Sequence, residues 1–447
     1  MDSLVEKVYS LNNEEIEPLK EHLMIGGGTP GPLLVKSKGV RIEDINGKSY
    51  LDCTSQSWAM YLGFCNEEIR QAVNDHMKIL THVHQGFNTR QRYSLAAKLA
   101  SIAPKNLNRV SFTVGGGSAI EAAMKIALKN VKGSRNFISL WDAYHGTTLT
   151  TAGASWISTK AAGQFTGMNN FLGDVNNNFM RVPNPYCYRC IFGQKPESCN
   201  MMCAEMLRQT MQRGVTGPVA GVILEPIQAS GGQIPCPKKY LQRVREICDE
   251  FGALLIYDEI QTYCRIGKFF AAEHYDVEPD IIAMGKALGG GLPIAAIIIH
   301  DRLEGFGMGS EELHTFANNS VSQISALKMI EIIERDKVLD NCVKMGGYMA
   351  GRLHEMQKEF DEIGDIRQVG LHIGVEMVTD SHSKTPISDE TAIRIKKTAL
   401  EKGLLMGWGS FRKNIFKIKP PLIINKQEAD EALEIFYDSI KTVLRNG

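Results

Sequence analysis

From about residue 66 to residue 300 the chain alternates between two kinds of segment. Short apolar runs end in a polar or glycine-rich turn, and longer stretches with helical spacing of apolar positions follow. The run at 109–114 precedes a helical period over 118–129, and the run at 253–257 follows one over 239–251. Further apolar runs occupy 136–140, 219–224 and 280–284. Alternation of this kind predicts an α/β fold, a mostly parallel sheet with helices on both faces. The tail has a different texture. Residues 369–377 and 414–422 are predicted strands and residues 389–402 a helix. Residues 425–444 are a predicted amphipathic helix, with Ala429, Leu433, Phe436, Ile440 and Val443 at spacings of four and three. Residues 1–65 are short helical and strand pieces broken by Gly26-Gly27-Gly28 and Pro30-Gly31-Pro32. The expected organisation is an N-terminal segment 1–65 packed with a small domain, a large domain over 66–325 and a small C-terminal α+β domain over 326–447.

Composition narrows the function. A chain of 447 residues can bury a large core and divide into two or three domains. Lys and Arg together number 50, as do Asp and Glu, so the basic excess of a nucleic-acid or membrane-surface binder is missing. A hydrophobic share of 43% with 22% charged residues belongs to a folded chain and not to a disordered one. The N-terminus lacks a basic segment followed by an apolar run. The longest uncharged apolar stretch, near 287–300, is too short to span a bilayer and is interrupted by Gly289-Gly290-Gly291 and Pro293. Ten cysteines spread over so long a chain are not the framework of a small secreted domain. A cytoplasmic location is expected, with no nucleic-acid or membrane partner.

Ligands of an open α/β sheet sit beyond the carboxyl ends of its strands, so the residues after each apolar run are the candidates for chemistry. Gly115-Gly116-Gly117-Ser118 opens a helix, where free backbone N–H groups and the helix N-terminus suit an anion. Neither a dinucleotide fingerprint nor a P-loop is present, and a tight turn without ligand is the plain alternative. Tyr144, after the run at 136–140, is placed to stack on a flat ring or simply to fill core. Asp258 closes a buried strand, where a carboxylate needs a cation beside it: a protonated ring nitrogen or a neighbouring basic side chain. Lys286 stands in an apolar, glycine-rich setting that lowers an amine's pKa and frees it to attack an aldehyde, unless it reaches out to water. The hydroxyl of Thr315 suits a phosphate or a helix cap. A phosphate cradle, a stacking aromatic, a carboxylate for a pyridinium nitrogen and a lysine for an aldehyde are together the requirements of pyridoxal phosphate.

These motifs, with Ser57-Trp58, Glu225-Pro226-Ile227-Gln228, Asp258-Glu259-Ile260-Gln261-Thr262, Gly285-Lys286-Ala287-Leu288, Thr315-Phe316 and Pro420-Pro421-Leu422, stand in the order found in one family. From about residue 30 to its end the chain resembles the class III (omega-type) aminotransferases of pyridoxal phosphate fold type I. The resemblance implies that Lys286 holds the cofactor and shuttles a proton, and that Asp258 keeps the pyridine nitrogen protonated. It implies that Tyr144 and Ile260 cover the two ring faces, that Gln261 reaches the ring hydroxyl, and that Gly116 and Gly117 bind the phosphate. Thr315 would come from the neighbouring subunit, which implies a homodimer with shared sites. The implied reaction moves an amino group from an amine, an omega-amino acid or an amino acid to a 2-oxo acid such as pyruvate or 2-oxoglutarate. Lyase, racemase and decarboxylase outcomes exist on the same fold.

Departures from the family pattern bear on substrate. The loop at 115–119 carries Ser118 in place of a Glu, and the stretch Tyr263-Cys264-Arg265 is one residue short. Before Pro420-Pro421, Lys417 stands where many relatives carry an Arg that grips a carboxylate and pairs with the Glu matching Glu225. Lys cannot give the flat two-pronged contact, so a weaker Glu225–Lys417 pair is one expectation, a solvent-facing Lys417 another, and Arg412 a substitute cation. Trp58 is expected to wall the substrate pocket, with a core position as the alternative. Cys187-Tyr188-Arg189-Cys190 and Cys199-Asn200-Met201-Met202-Cys203 have the spacing of a four-thiolate zinc site; reduced loop cysteines are the expectation, and no metal is assigned.

Overall fold

A computed structural model describes residues 3–24, 31–156, 178–409 and 412–445. Its large sheet has seven strands in the spatial order Leu107–Thr113, Ala295–His300, Ile281–Met284, Leu254–Asp258, Val219–Leu224, Asn136–Leu140 and Phe179–Val182. Neighbours are parallel except for Ala295–His300, which runs antiparallel to both of its own. All residues of Val219–Leu224 and Ile281–Met284 are buried, because helices cover both sheet faces. That is why these strands appear in the sequence as unbroken apolar runs with no alternation. The antiparallel strand lies in the apolar stretch near 287–300, to which the sequence reading gives no element. The chain leaves Met284, makes a short 3₁₀ turn over Lys286–Gly289, and comes back beside the strand it has just left.

A second seven-stranded sheet joins the two ends of the chain. Its order is Leu34–Lys38, Arg41–Asp44, Ser49–Cys53, Leu404–Trp408, Ile415–Ile418, His372–Met377 and Ile363–Val369. The only parallel pairing within it is Ser49–Cys53 with Leu404–Trp408. The strand expected over 369–377 is the second arm of a hairpin that turns at Gly370. Gly370 has φ of 56°, and a Cβ there would lie 2.5 Å from the Arg265 carbonyl oxygen. The strand expected over 414–422 spans only Ile415–Ile418, since Pro420 and Pro421 cannot continue a ladder. Helix Lys426–Arg445 buries Ala429, Leu433, Phe436, Ile440 and Val443, the stripe expected from its spacing.

Among the described residues no helix is long and apolar enough to cross a membrane. Nor do the described residues include a group of three or more His, Cys, Asp or Glu side chains placed to hold a metal ion. Cys187, Cys190, Cys199 and Cys203 are free thiols that line one apolar hollow.

Candidate active site

The ends of three neighbouring strands converge on one cavity. Asp258 ends Leu254–Asp258, Lys286 follows Ile281–Met284, and Glu225 follows Val219–Leu224. Helix Gly116–Asn130 starts at the same level, beyond Leu107–Thr113. Of the sequence candidates, Gly116, Gly117, Tyr144, Glu225, Asp258, Ile260, Gln261 and Lys286 line this cavity, and His145 and Gly146 complete it.

Asp258 is buried, with its charge shared locally. One carboxylate oxygen lies 2.8 Å from Nδ1 of His145, and the other accepts the Ile260 N–H at 3.1 Å. His145 is itself held by its backbone, whose N–H donates to Ser155 Oγ at 2.8 Å. The partner that a buried carboxylate requires is thus an imidazole 113 positions away, an identity the sequence motifs do not disclose. Lys286 has φ of 45°, a conformation that costs a side-chain-bearing residue energy and that recurs at functional sites. Burial holds its amine below the ordinary lysine value, while the carboxyls of Asp258 and Glu225 pull the other way. Glu225 accepts the N–H groups of Tyr144 and Ala229, each at 3.0 Å. Burial pushes its carboxyl up to about 7, against the opposing effect of His145 and with Asp258 adding to the rise.

The glycines are required by space. A Cβ at Gly116 would stand 2.9 Å from Ile260 Cδ1, and one at Gly117 3.1 Å from Thr148 Cγ2. Gly146 has φ of 128°, and a Cβ there would meet Thr151 Oγ1 at 2.6 Å. The first N–H groups of helix Gly116–Asn130 have no acceptor within the helix, so this bare turn offers an anion cradle. Ser118, in place of the family's Glu, accepts the Gly115 N–H at 3.2 Å and closes the turn. Anion cradle, buried carboxylate and buried amine face one space. That donor set fits pyridoxal phosphate: Gly116 and Gly117 for the phosphate, Asp258 for the ring nitrogen, Lys286 for the aldehyde.

Four further candidates do not line this cavity. Lys417 is not solvent-facing: it is 2% exposed and its Nζ donates to the Ser230 carbonyl at 3.2 Å. It makes no ion pair with Glu225 within 4.0 Å among the described residues, and that carboxylate accepts the Tyr144 and Ala229 N–H groups. Burial lowers the Lys417 amine to about 7, with Glu225 pulling the other way. Arg412 is no free substitute, since its guanidinium lies 3.7 Å from the Asp142 carboxylate. Trp58 lies at the site: Lys286 Nζ is 5.4 Å from its ring centroid. Its turn is strained, with positive φ at Ser55, Gln56, Ser57 and Trp58. Thr315 is exposed and does not line the cavity of its own chain.

Sequence reasoning misses three residues of consequence. His145, next to Tyr144, is given no role. Arg265 is fully buried and donates to the carbonyls of Leu371 (3.2 Å) and Pro420 (2.8 Å) and to Ser55 Oγ (2.9 Å), which ties the Trp58 turn to both C-terminal segments. Lys419 is fully buried with its Nζ 3.2 Å from the Trp58 ring centroid. The available signal is the spacing of Lys417 and Lys419, two apart in an apolar strand-like run and so on one face.

Comparison with known proteins places the chain. The family profile described as Aminotransferase class-III matches residues 28–440. The chain is 36% identical over 408 residues to a leucine/methionine racemase of Thermococcus litoralis, covering 90% of this chain and 88% of that protein. It is 33% identical over 422 residues to an acetylornithine aminotransferase of Methanosarcina acetivorans, covering 94% of each. The fold is similar to that of a transaminase from the marine bacterium Virgibacillus, with a TM-score of 0.87 and 26% identity over 97% of this chain and 100% of that one.

Proposed function

Because the chain belongs to the class III aminotransferases, pyridoxal phosphate-dependent transaminases, we propose that it moves an amino group from an amine, omega-amino acid or amino acid to a 2-oxo acid such as pyruvate or 2-oxoglutarate. The observation that carries this reading is the buried Lys286 amine facing the Asp258–His145 pair across a glycine-lined cavity. When bound, the cofactor supplies an electron sink for the carbanion formed at the substrate's Cα. Lys286 anchors it and moves the proton at Cα. Asp258, oriented by His145, holds the proton on the ring nitrogen. Tyr144 and Ile260 cover the ring, with Gln261 at its edge and Gly116 and Gly117 on the phosphate. Glu225 fixes the backbone of Tyr144, and Trp58 walls the substrate space.

We place the working enzyme in the cytoplasm as a homodimer, with Thr315 serving the neighbour's phosphate. Its exposure and its distance from its own chain's cavity support that assignment, as do the exposed apolar side chains of Phe316 and Phe87 nearby. Ten free thiols suit a reducing compartment. A second reading, racemisation or lyase chemistry, is favoured by the Thermococcus litoralis racemase and by Lys417 in place of an Arg. A single-turnover experiment decides between them. Holoenzyme is mixed with a panel of amines and amino acids without oxo acid. Conversion to pyridoxamine phosphate with one equivalent of carbonyl product supports transamination. Product beyond one equivalent, with the original spectrum restored, establishes the second reading instead.

A further inference from the structure

Between strands Phe179–Val182 and Val219–Leu224 runs a loop that the chemistry at Lys286 does not use. From Cys187 to Cys203 no residue is buried. Its regular structure is two short 3₁₀ turns, Cys187–Arg189 and Pro196–Ser198, and the start of helix Met202–Gln209. A loop this long without a core of its own is uncommon in a compact domain and usually serves a function. Few bonds hold its path: the Gly193 N–H donates to the Cys190 carbonyl at 3.0 Å, and the Asn200 N–H to Gln194 Oε1 at 3.2 Å.

Four cysteines mark out this loop and share one space. Cys187 and Cys203 are its first and last residues, Cys190 and Cys199 stand within it, and all four line a hollow of about 280 Å³. Among the described residues the lining holds no carboxylate and no histidine, and Pro185, Ile191, Phe192 and Pro237 make much of it apolar. Two of the cysteines sit either side of the first 3₁₀ turn, and the other two either side of the turn into the helix. A backbone amide already points at one sulfur: the Met201 N–H donates to Cys199 Sγ at 3.2 Å. Lys238 and Lys239 stand on the same lining, Lys238 also meeting Asp276 at 3.2 Å.

We propose that Cys187, Cys190, Cys199 and Cys203 bind one zinc ion, which orders the loop and takes no part in the reaction. Thiolates without carboxylates select zinc over magnesium or calcium, and four protein ligands leave no open position for water or substrate. Each thiol that binds gives its proton to solvent. The ion with four thiolates then carries two negative charges, which Lys238 and Lys239 offset. No three of these sulfurs already stand placed to hold an ion. Each moves about a single side-chain bond, so binding closes the loop on the metal, and its free energy is ordering free energy. The order reaches beyond the loop. Tyr186 Oη and Arg189 Nε both bond the buried carboxylate of Glu376 on strand His372–Met377. Asn184 donates to Gln228 Oε1 at 2.7 Å and to Asp142, two residues before Tyr144, at 3.2 Å. A metal at the loop's base thus braces the second sheet against the wall of the cavity.

Metal analysis of holoenzyme, produced with zinc supplied and dialysed against metal-free buffer, tests this. The expected content is about one zinc per chain, falling roughly tenfold or more in the double variant Cys187→Ser/Cys203→Ser. Cys65→Ser, which changes an exposed thiol outside the hollow, should keep its zinc. Stripping the metal with dipicolinate should speed trypsin cleavage after the exposed Lys195 roughly tenfold, with the cofactor's absorbance unchanged. Zinc, and not magnesium, should reverse that effect. Wild-type protein that holds no zinc, or holds iron in its place, overturns the proposal, as does an intact mass short of the hydrogens that disulfides remove. These arms need no variant to fold. Zinc retained by a folded double variant overturns it too, and so does cleavage after Lys195 that ignores the metal.

Discussion

Replacing Lys417 by Met is expected to stabilise the protein while impairing it. The buried amine falls from 10.5 to about 7. At about 1.36 kcal/mol per unit this shift corresponds to a burial penalty of ~4 kcal/mol at pH 7. Met fills a similar volume without a charge, and the lost bond to the Ser230 carbonyl subtracts about 1 to 2 kcal/mol. The net gain is ~2–3 kcal/mol. With an unfolding entropy of about 2.1 cal/mol/K per residue, a chain of 447 residues should melt ~3 °C higher. The sign with pH follows from the direction of the shift. The unfolded chain binds the Lys417 proton more tightly than the folded one, so between about 7 and 10.5 stability rises with pH. The penalty is complete below that window and gone above it. Scanning calorimetry of both proteins from pH 6.5 to 10 should show the advantage of Lys417→Met shrinking as pH rises, with a raised KM for acid-bearing substrates alone. A variant less stable than wild type at neutral pH, or a difference that ignores pH, would refute the reasoning.

Other perturbations probe separate parts of the site. Asp258→Asn keeps the shape but removes the charge that faces the ring nitrogen, and should cut kcat by about 100-fold or more; near-normal turnover would count against its role. Gly146→Ala forces a Cβ to 2.6 Å from Thr151 Oγ1 at φ of 128°. It should cost about 1–3 kcal/mol and weaken cofactor affinity, read by dialysis of holoenzyme. Glu259→Ala leaves the N–H groups of Ala271 and Ala272 and the Thr262 hydroxyl without their buried acceptor. A loss of about 3 kcal/mol is expected, with a lower melting temperature and an unchanged cofactor spectrum.

Most of the cavity was legible because the strand-end rule needs only local pattern. Lys286, Asp258, Tyr144 and the glycines at 115–117 each follow an apolar run; parallel pairing brings the first three ends together, and two antiparallel steps through Ala295–His300 turn the fourth the same way. What stayed hidden depends on tertiary partners. The His145–Asp258 contact spans 113 positions, and no periodicity encodes it. Strand Ala295–His300 is as apolar as a helix core or a parallel strand, and only its ladder reveals an antiparallel return. Lys417 and Lys419 are an intermediate case. Spacing by two is visible, but their burial follows from Ile415–Ile418 lying inside a sheet whose other edge comes from residues 34–53. Glu225 acts on Lys417 only through its charge, with no contact within 4.0 Å among the described residues, and the sequence gives no measure of that separation.

The central claim is that the cofactor is carried by Lys286, which shares the Trp58 indole with Lys419, itself two residues from the buried Lys417. Reducing holoenzyme with borohydride, digesting it and locating the pyridoxyl group by mass spectrometry tests that claim directly. The account predicts the label on Lys286, and no covalent label in Lys286→Ala. A label on Lys417 or Lys419 in the wild-type protein, or none on any lysine, would contradict it.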